Sequence, residues 1–159
     1  MKNTLIKPMR VQRLRKKGFN LQEASRSGLP VKYVGRPTKW GNPFRLTPDG
    51  FIQCYSTNRK ILDPWIMWSY SSGFETKDIV ELYGRWLDGE LKAIAPYLPT
   101  PPSIEELKGK DLSCFCSLVN KNSEYMPCHA DVLLSLSNKI PLKDVINENL
   151  RQEKLLRAK

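Results

Sequence analysis

A strand-like run, Asp111-Leu112-Ser113-Cys114-Phe115-Cys116, is followed by a polar loop and then by Pro127-Cys128-His129-Ala130-Asp131-Val132-Leu133-Leu134. No other part of this chain constrains its fold as much. Leu112 to Cys116 has the length and composition of a strand, and Asp131 to Leu136 opens like a helix. A strand, a loop and a helix in tandem predict an α/β layout, with the loop at the carboxyl end of a strand. Open α/β sheets hold their sites there. The same stretch gathers three of the four cysteines, the only histidine and a carboxylate. Such side chains bind soft metals, attack electrophiles or move protons near neutral pH.

A chain of 159 residues suits one domain with a full core. We divide it into a basic N-terminal segment (1–29), an α/β core (30–140) and a C-terminal helix (141–159). No apolar run reaches the length of a membrane span. No apolar leader with a cleavage site follows the basic start. The expectation is a cytoplasmic protein with no membrane partner, whose cysteines are thiols or metal ligands rather than disulfides.

The net charge of +10 is unevenly placed. Residues 1–45 hold twelve Lys or Arg and one acid, Glu23, and carry +11; residues 46–159 carry −1. A basic third on a near-neutral body reads as a contact surface for phosphates, with Arg10, Arg13, Arg15, Lys16 and Lys17 as the candidate nucleic-acid contacts. A solvated basic tail is the alternative. Apolar positions are sparse in residues 1–29, so this segment is expected to pack along the body or to order on a partner.

Further along, Val31 to Val34 alternates like a strand. Gly35-Arg36-Pro37-Thr38-Lys39-Trp40-Gly41-Asn42-Pro43-Phe44 holds two Gly and two Pro and reads as a structured loop. Gly50 to Tyr55 suggests a short strand, and Pro64 to Trp68 a helical turn or an aromatic insertion. Glu75 to Leu87 is the clearest amphipathic helix, with Ile79, Leu82, Tyr83, Trp86 and Leu87 at helical spacing. A second helical stretch is expected over Gly89 to Tyr97. Ser103-Ile104-Glu105-Glu106 matches a capping box, and Leu142 to Ala158 a charged C-terminal helix.

Three segments together carry a family likeness. They are Val11 to Gly18, Tyr33 to Phe44, and Leu107 to Cys116 with Cys128 to Leu134. The chain resembles a domain-of-unknown-function family (catalogue number four-three-two-six) found in bacteria and their phages. The likeness covers most of residues 10–138 and implies no activity. The segment near 46–75 and the loop from Ser117 to Pro127 are longer than the family pattern. A looser likeness, to an uncharacterised α/β family of flavodoxin-like topology, implies a Rossmann-like sheet by analogy.

For the Cys-His cluster three readings stay open. As a metal site, Cys114, Cys116, Cys128 and His129 supply four ligands of the types zinc prefers. The adjacency of Cys128 and His129 counts against it, because both must turn toward one ion. As a catalytic site, Cys128 at a helix N-terminus favours a thiolate. His129 then serves as acid or base, Asp131 orients a substrate or caps the helix, and Cys116 joins the pocket. As packing, the cysteines are small buried residues and Asp131 is only a cap. The Gly35–Phe44 loop reads either as a phosphate cradle or as a rigid turn plugging the core. In the cradle Gly35 and Gly41 allow close approach or positive φ, Arg36 and Lys39 pair with phosphates, Trp40 stacks on a base, and Asn42 bonds its edge.

The resulting expectation is an α/β fold, a single small domain with a mainly parallel, Rossmann-like sheet flanked by helices. Its basic segment, its loop and its Cys-His region should share one cleft. The first functional expectation is an enzyme acting on a nucleotide or nucleic acid without a cofactor, with glycosidic-bond cleavage or base exchange as the reaction to test. The rival is a non-enzymatic nucleic-acid-binding protein with a small zinc centre, acting in host or phage DNA transactions. No P-loop, Gly-x-Gly-x-x-Gly fingerprint or zinc-deaminase signature is present.

Overall fold

The computed structural model of the chain describes residues 7–55 and 65–158. In chain order its elements are β1 (Arg10–Gln12), β2 (Val31–Tyr33), β3 (Phe44–Leu46), β4 (Ile52–Tyr55), β5 (Trp65–Met67), α1 (Thr76–Leu87), a 3-10 turn (Glu105–Leu107), β6 (Asp111–Cys114), α2 (His129–Asn138) and α3 (Leu142–Arg157).

The architecture is α/β, but the expected mainly parallel, Rossmann-like sheet is corrected. β1, β6 and β2 form a three-stranded parallel sheet in that order, and β3, β4 and β5 form a separate antiparallel sheet. Loop length explains the split. Parallel pairing needs a crossover of a dozen or more residues. Residues 13–30 and 34–110 provide that length, whereas only 47–51 separate β3 from β4. That short link closes as a turn through Thr47 and Gly50, the latter at φ 83°.

β6 is the central parallel strand, with all four residues buried. Leu112 faces Arg10 on one side and Lys32 on the other. In the antiparallel sheet Phe44 pairs with Cys54, and Cys54 with Ile66, so this row faces the core. The alternate row is Arg45, Gln53 and Met67, where Arg45 Nε donates to Gln53 Oε1 at 2.7 Å. α1 buries Val80, Tyr83 and Trp86, close to the stripe read from the sequence. α2 buries seven of its ten residues. It lies in contact with α1, with β6 and with α3.

Several local expectations change. The first segment contributes an edge strand, β1, to the parallel sheet. Trp65–Met67 is a strand rather than a helical turn, and Pro64 lies outside the described residues. Gly89 to Tyr97 forms successive turns instead of a helix, with Gly89 at φ 79° and Pro96 breaking any longer run. The expected capping box at Ser103 is absent. Ile104 occupies the cap of a three-residue 3-10 turn without a side-chain bond. β6 ends at Cys114, two residues short of the expected strand.

Candidate functional site

The three parallel strands end at one edge, and the residues that follow them meet there. Arg13 and Arg15 follow β1, Val34 to Arg36 follow β2, and Phe115 and Cys116 follow β6. A cavity of about 280 Å³ opens at this edge. Arg15, Tyr33, Gly35, Arg36, Phe115 and Asn42 line its basic, aromatic side, while Cys114, Cys116, Cys128 and His129 form its thiol-bearing floor. Among the described residues no carboxylate lines it.

The floor is built by the start of α2. Cys128 is the N-cap, in extended backbone at φ −143°, ψ 155°, and His129 is the first helical residue. The change of backbone conformation between them lets two consecutive side chains converge. Cys128 Sγ lies 3.4 Å from His129 Nδ1 and 3.0 Å from Cys114 Sγ. The sulfurs of Cys114, Cys116 and Cys128 all lie within 4.8 Å of one another, a grouping that could hold a metal ion. All four cysteines are free.

The other nitrogen of the imidazole sits 2.9 Å from the Val34 carbonyl. A carbonyl oxygen only accepts, so Nε2 carries the proton and Nδ1 keeps its lone pair. Burial lowers the basicity of His129, although the Val34 bond works the other way, which keeps the ring neutral near pH 7. Hydrogen bonds from the Cys114 and Cys116 thiols hold the Cys128 thiol well below its ordinary value. Burial opposes this, and the charge of Arg10 and the Ala130 N–H support it. Cys114 moves up in return, through its bonds to Cys116 and Cys128 and through burial. Within this trio Cys128 is the thiol that its neighbours most favour for ionisation.

Behind the floor lies a buried polar network. Asp131 is 1% exposed and accepts four hydrogen bonds. Arg10 Nη1 (3.1 Å) and the Cys128 N–H (3.0 Å) donate to Oδ2, and the Tyr125 hydroxyl (2.7 Å) and Asn149 Nδ2 (3.1 Å) donate to Oδ1. Burial pushes its carboxyl upward, yet Arg10 and these donors favour the charged form. Four donors on two oxygens fit a carboxylate and leave no room for its proton. Arg10 holds its charge. Burial acts to lower it, but Asp131 and Tyr125 raise it further. The same guanidinium donates to the carbonyls of Ser117 (3.2 Å) and Met126 (2.9 Å), fixing the loop between β6 and α2.

The residues read from the sequence therefore divide. Cys116, Cys128, His129, Gly35, Arg36 and Asn42 meet at the cavity, joined by Arg15. Asp131 does not line it and serves α2 as a capping residue. Arg10 is buried at 1% exposure inside the protein, not on a phosphate-facing surface. Trp40 is buried too, its Nε1–H donating to the Ser103 carbonyl at 3.0 Å, so it fills the core instead of offering a stacking face. Lys39 is exposed, pairs with Glu106 at 2.8 Å and does not line the cavity. Lys16 and Lys17 are exposed. Gly35 and Gly41 serve close approach rather than positive φ. A Cβ on Gly35 would meet Tyr33 Oη at 2.5 Å, and one on Gly41 would meet Arg36 Cγ at 2.8 Å. The approach is to the protein's own side chains.

Two aromatic residues take the place expected of Trp40. Tyr33 and Phe115 meet edge to face at 5.7 Å between centroids. The Arg13 guanidinium lies 4.6 Å from the Tyr33 centroid, and that of Arg15 4.5 Å from the Phe115 centroid. Tyr33 was legible as the outward end of an alternating strand, and Phe115 as the odd residue between two same-face cysteines. Asn149 was legible as a polar residue four places after Val145 on the buried face of α3.

The model of a family described as a domain of unknown function (DUF4326) matches residues 15–139. No curated protein and no solved structure matches the chain.

Proposed function

The chain belongs to the DUF4326 family, a domain of unknown function, and we propose from its own residues that it is a nucleic-acid-binding protein. It grips a strand end or a nucleotide at the mouth of the Cys-His cavity. One observation carries this reading: Arg13 and Arg15 stack on Tyr33 and Phe115 at the cavity rim. A guanidinium held face-on to a ring keeps its N–H edge free for phosphate oxygens. Arg36 adds a third cation, and among the described residues no lining carboxylate repels the ligand. At about 280 Å³ the cavity lies at the small end of ligand pockets, roughly 300–1,000 Å³. It admits one nucleotide unit and excludes a duplex. The thiol cluster beneath is, in this reading, a structural zinc centre, and the protein works in the reducing cytoplasm on host or phage DNA transactions.

The test is fluorescence anisotropy with a labelled single-stranded oligonucleotide across a salt series. Arg13→Ala with Arg15→Ala should lower affinity and reduce the log–log salt slope by about one unit per lost contact. Phe115→Leu should weaken binding with the slope unchanged, because stacking is not electrostatic. Wild-type binding that ignores salt, or a double variant that binds as wild type, would refute the reading.

A second reading is favoured by the exposure of Cys116 at the cavity. In it the protein is an enzyme that cleaves or exchanges a glycosidic bond of a nucleotide. Asp131 is committed to Arg10, so Cys116, Cys128 and His129 would meet the substrate. Free-base release from nucleosides and oligonucleotides, assayed with and without Cys116→Ser, tests it.

A further inference from the structure

The geometry points to a closed four-ligand site for a soft divalent cation of the zinc type, with Cys114, Cys116 and Cys128 as thiolate ligands and His129 Nδ1 as the fourth. This deepens the structural-centre part of the proposed function by naming the ligand set and the nitrogen used. Around a zinc ion with Zn–S bonds of about 2.3 Å, a tetrahedron has sulfur–sulfur edges of roughly 3.8 Å and sulfur–nitrogen edges of roughly 3.5 Å. The sulfurs here lie 3.0 Å apart at the closest named pair and within 4.8 Å throughout, so their spacing brackets that edge. Cys128 Sγ and His129 Nδ1, at 3.4 Å, match one mixed edge; the three sulfurs alone form the group within 4.8 Å, so Nδ1 closes on the other two sulfurs when the ion binds.

Adjacent ligands are unusual because neighbouring side chains diverge in regular structure. Here Cys128 is extended and His129 helical, and that break brings Cys128 Sγ and His129 Nδ1 to 3.4 Å of each other. The imidazole is also arranged as a ligand. Its Nε2–H donates to the Val34 carbonyl, the outer contact by which ligating histidines fix their tautomer and aim the other nitrogen. The outer shell extends to Cys128, whose N–H is held by Asp131, itself paired with Arg10. Three thiolates and one divalent cation leave one net negative charge, and buried Arg10 and the N-terminus of α2 lie beside it. Four protein ligands leave no open position, so the ion ties β6 to α2 and holds the cavity floor.

The experiment is metal titration of the full chain, purified with reductant and without oxygen, using zinc against a chromophoric chelator and then cobalt as a spectroscopic probe. One zinc per chain is expected, and the cobalt form should show thiolate charge-transfer bands with the intense d–d absorption of a tetrahedral site. Cys116→Ser, at an exposed position, should weaken zinc by more than about 100-fold, beyond the loss caused by outer-shell changes. Cys54→Ser should leave it unchanged. His129→Ala should weaken zinc and alter the cobalt spectrum. His129→Cys should recover tight binding with a four-sulfur spectrum, which a merely structural histidine would not allow. Zinc well below one per chain, or affinity insensitive to Cys116→Ser, overturns the site. An unchanged spectrum and affinity in His129→Ala overturns the fourth ligand. No oligonucleotide enters these measurements. Intact metal loading without oligonucleotide binding therefore refutes the binding function alone, and the opposite result refutes only the metal site.

Discussion

The two ends of β6 bury polar chemistry in different ways. At its start Asp111 is fully buried and accepts hydrogen bonds from the Met9 N–H (2.9 Å) and from the hydroxyls of Ser25 and Ser27 (2.7 Å each). No cation touches it among the described residues. At its other end lie Cys114 and, behind it, Asp131, which receives three comparable neutral donors and Arg10 in addition. Asp111 shows that this fold buries a carboxyl side chain on three neutral donors alone. The extra guanidinium at Asp131 also favours ionisation of the nearby Cys128 thiol. One end of the strand is closed and fully bonded. The other keeps a cavity and three close thiols.

The largest test of this contrast is Arg10→Met. It leaves Asp131 and the thiol cluster without their buried cation and should cost roughly 3–5 kcal/mol in urea unfolding. It should also slow alkylation of Cys128 near neutral pH, since the thiolate loses a favourable charge. A loss below about 1 kcal/mol would end the claim that the two ends differ.

Asp111→Ala should cost less, roughly 2–3 kcal/mol, because it removes three neutral hydrogen bonds and leaves two hydroxyls with other partners. Asp111→Asn should fall between it and wild type. Oligonucleotide affinity should not change in either. A change would mean that the closed end communicates with the cavity.

Trp40→Phe sharpens the position of the Gly35–Phe44 loop. Losing the bond to Ser103 and some buried area should cost about 1–2 kcal/mol, with oligonucleotide binding unaltered once the fold is intact. Weaker binding at unchanged stability would return Trp40 to the role of a stacking platform.

The smallest effect is a ranking of thiols in metal-free protein. Cys116, the exposed one, should alkylate first. Cys54 should be inert at pH 7. Burial pushes its thiol up to about 11, so on the order of one molecule in ten thousand is ionised there and the rate rises only as pH approaches that value. Fast labelling of Cys54, followed by mass spectrometry of peptides, would contradict its place in the Phe44–Cys54–Ile66 row.

Some of this was legible along the chain because it is local. The α1 stripe repeats at helical spacing, and the start of α2 is marked by an apolar run behind Cys-His-Ala-Asp. The Cys-His cluster was found for the same reason, since strand, loop and helix are consecutive. β1 was not legible. It is three residues long, its first residue is an arginine, and its burial rests on Asp131, Ser117 and Met126, more than a hundred positions away. The sequence left Asp131 open between orienting a substrate and capping α2, because the residues that occupy it, Arg10 of β1, Tyr125 of the β6–α2 loop and Asn149 of α3, come from three separate parts of the chain.

By itself the sequence determined the family, the α/β character, the excess of positive charge in the first third and the segment that holds the thiols and imidazole. These follow from composition and from neighbours within a few positions. Tertiary structure alone decided which charges face water and which are buried in pairs, that Trp40 fills the core while Tyr33 and Phe115 line the rim, and that the sulfurs of Cys114, Cys116 and Cys128 gather within 4.8 Å of one another. Hydrophobic periodicity records which face of an element is apolar, but it carries no record of which distant partner meets that face. Burial of a charge depends on that partner, so Arg10 and Asp131 acquire their roles only when β1 docks beside β6.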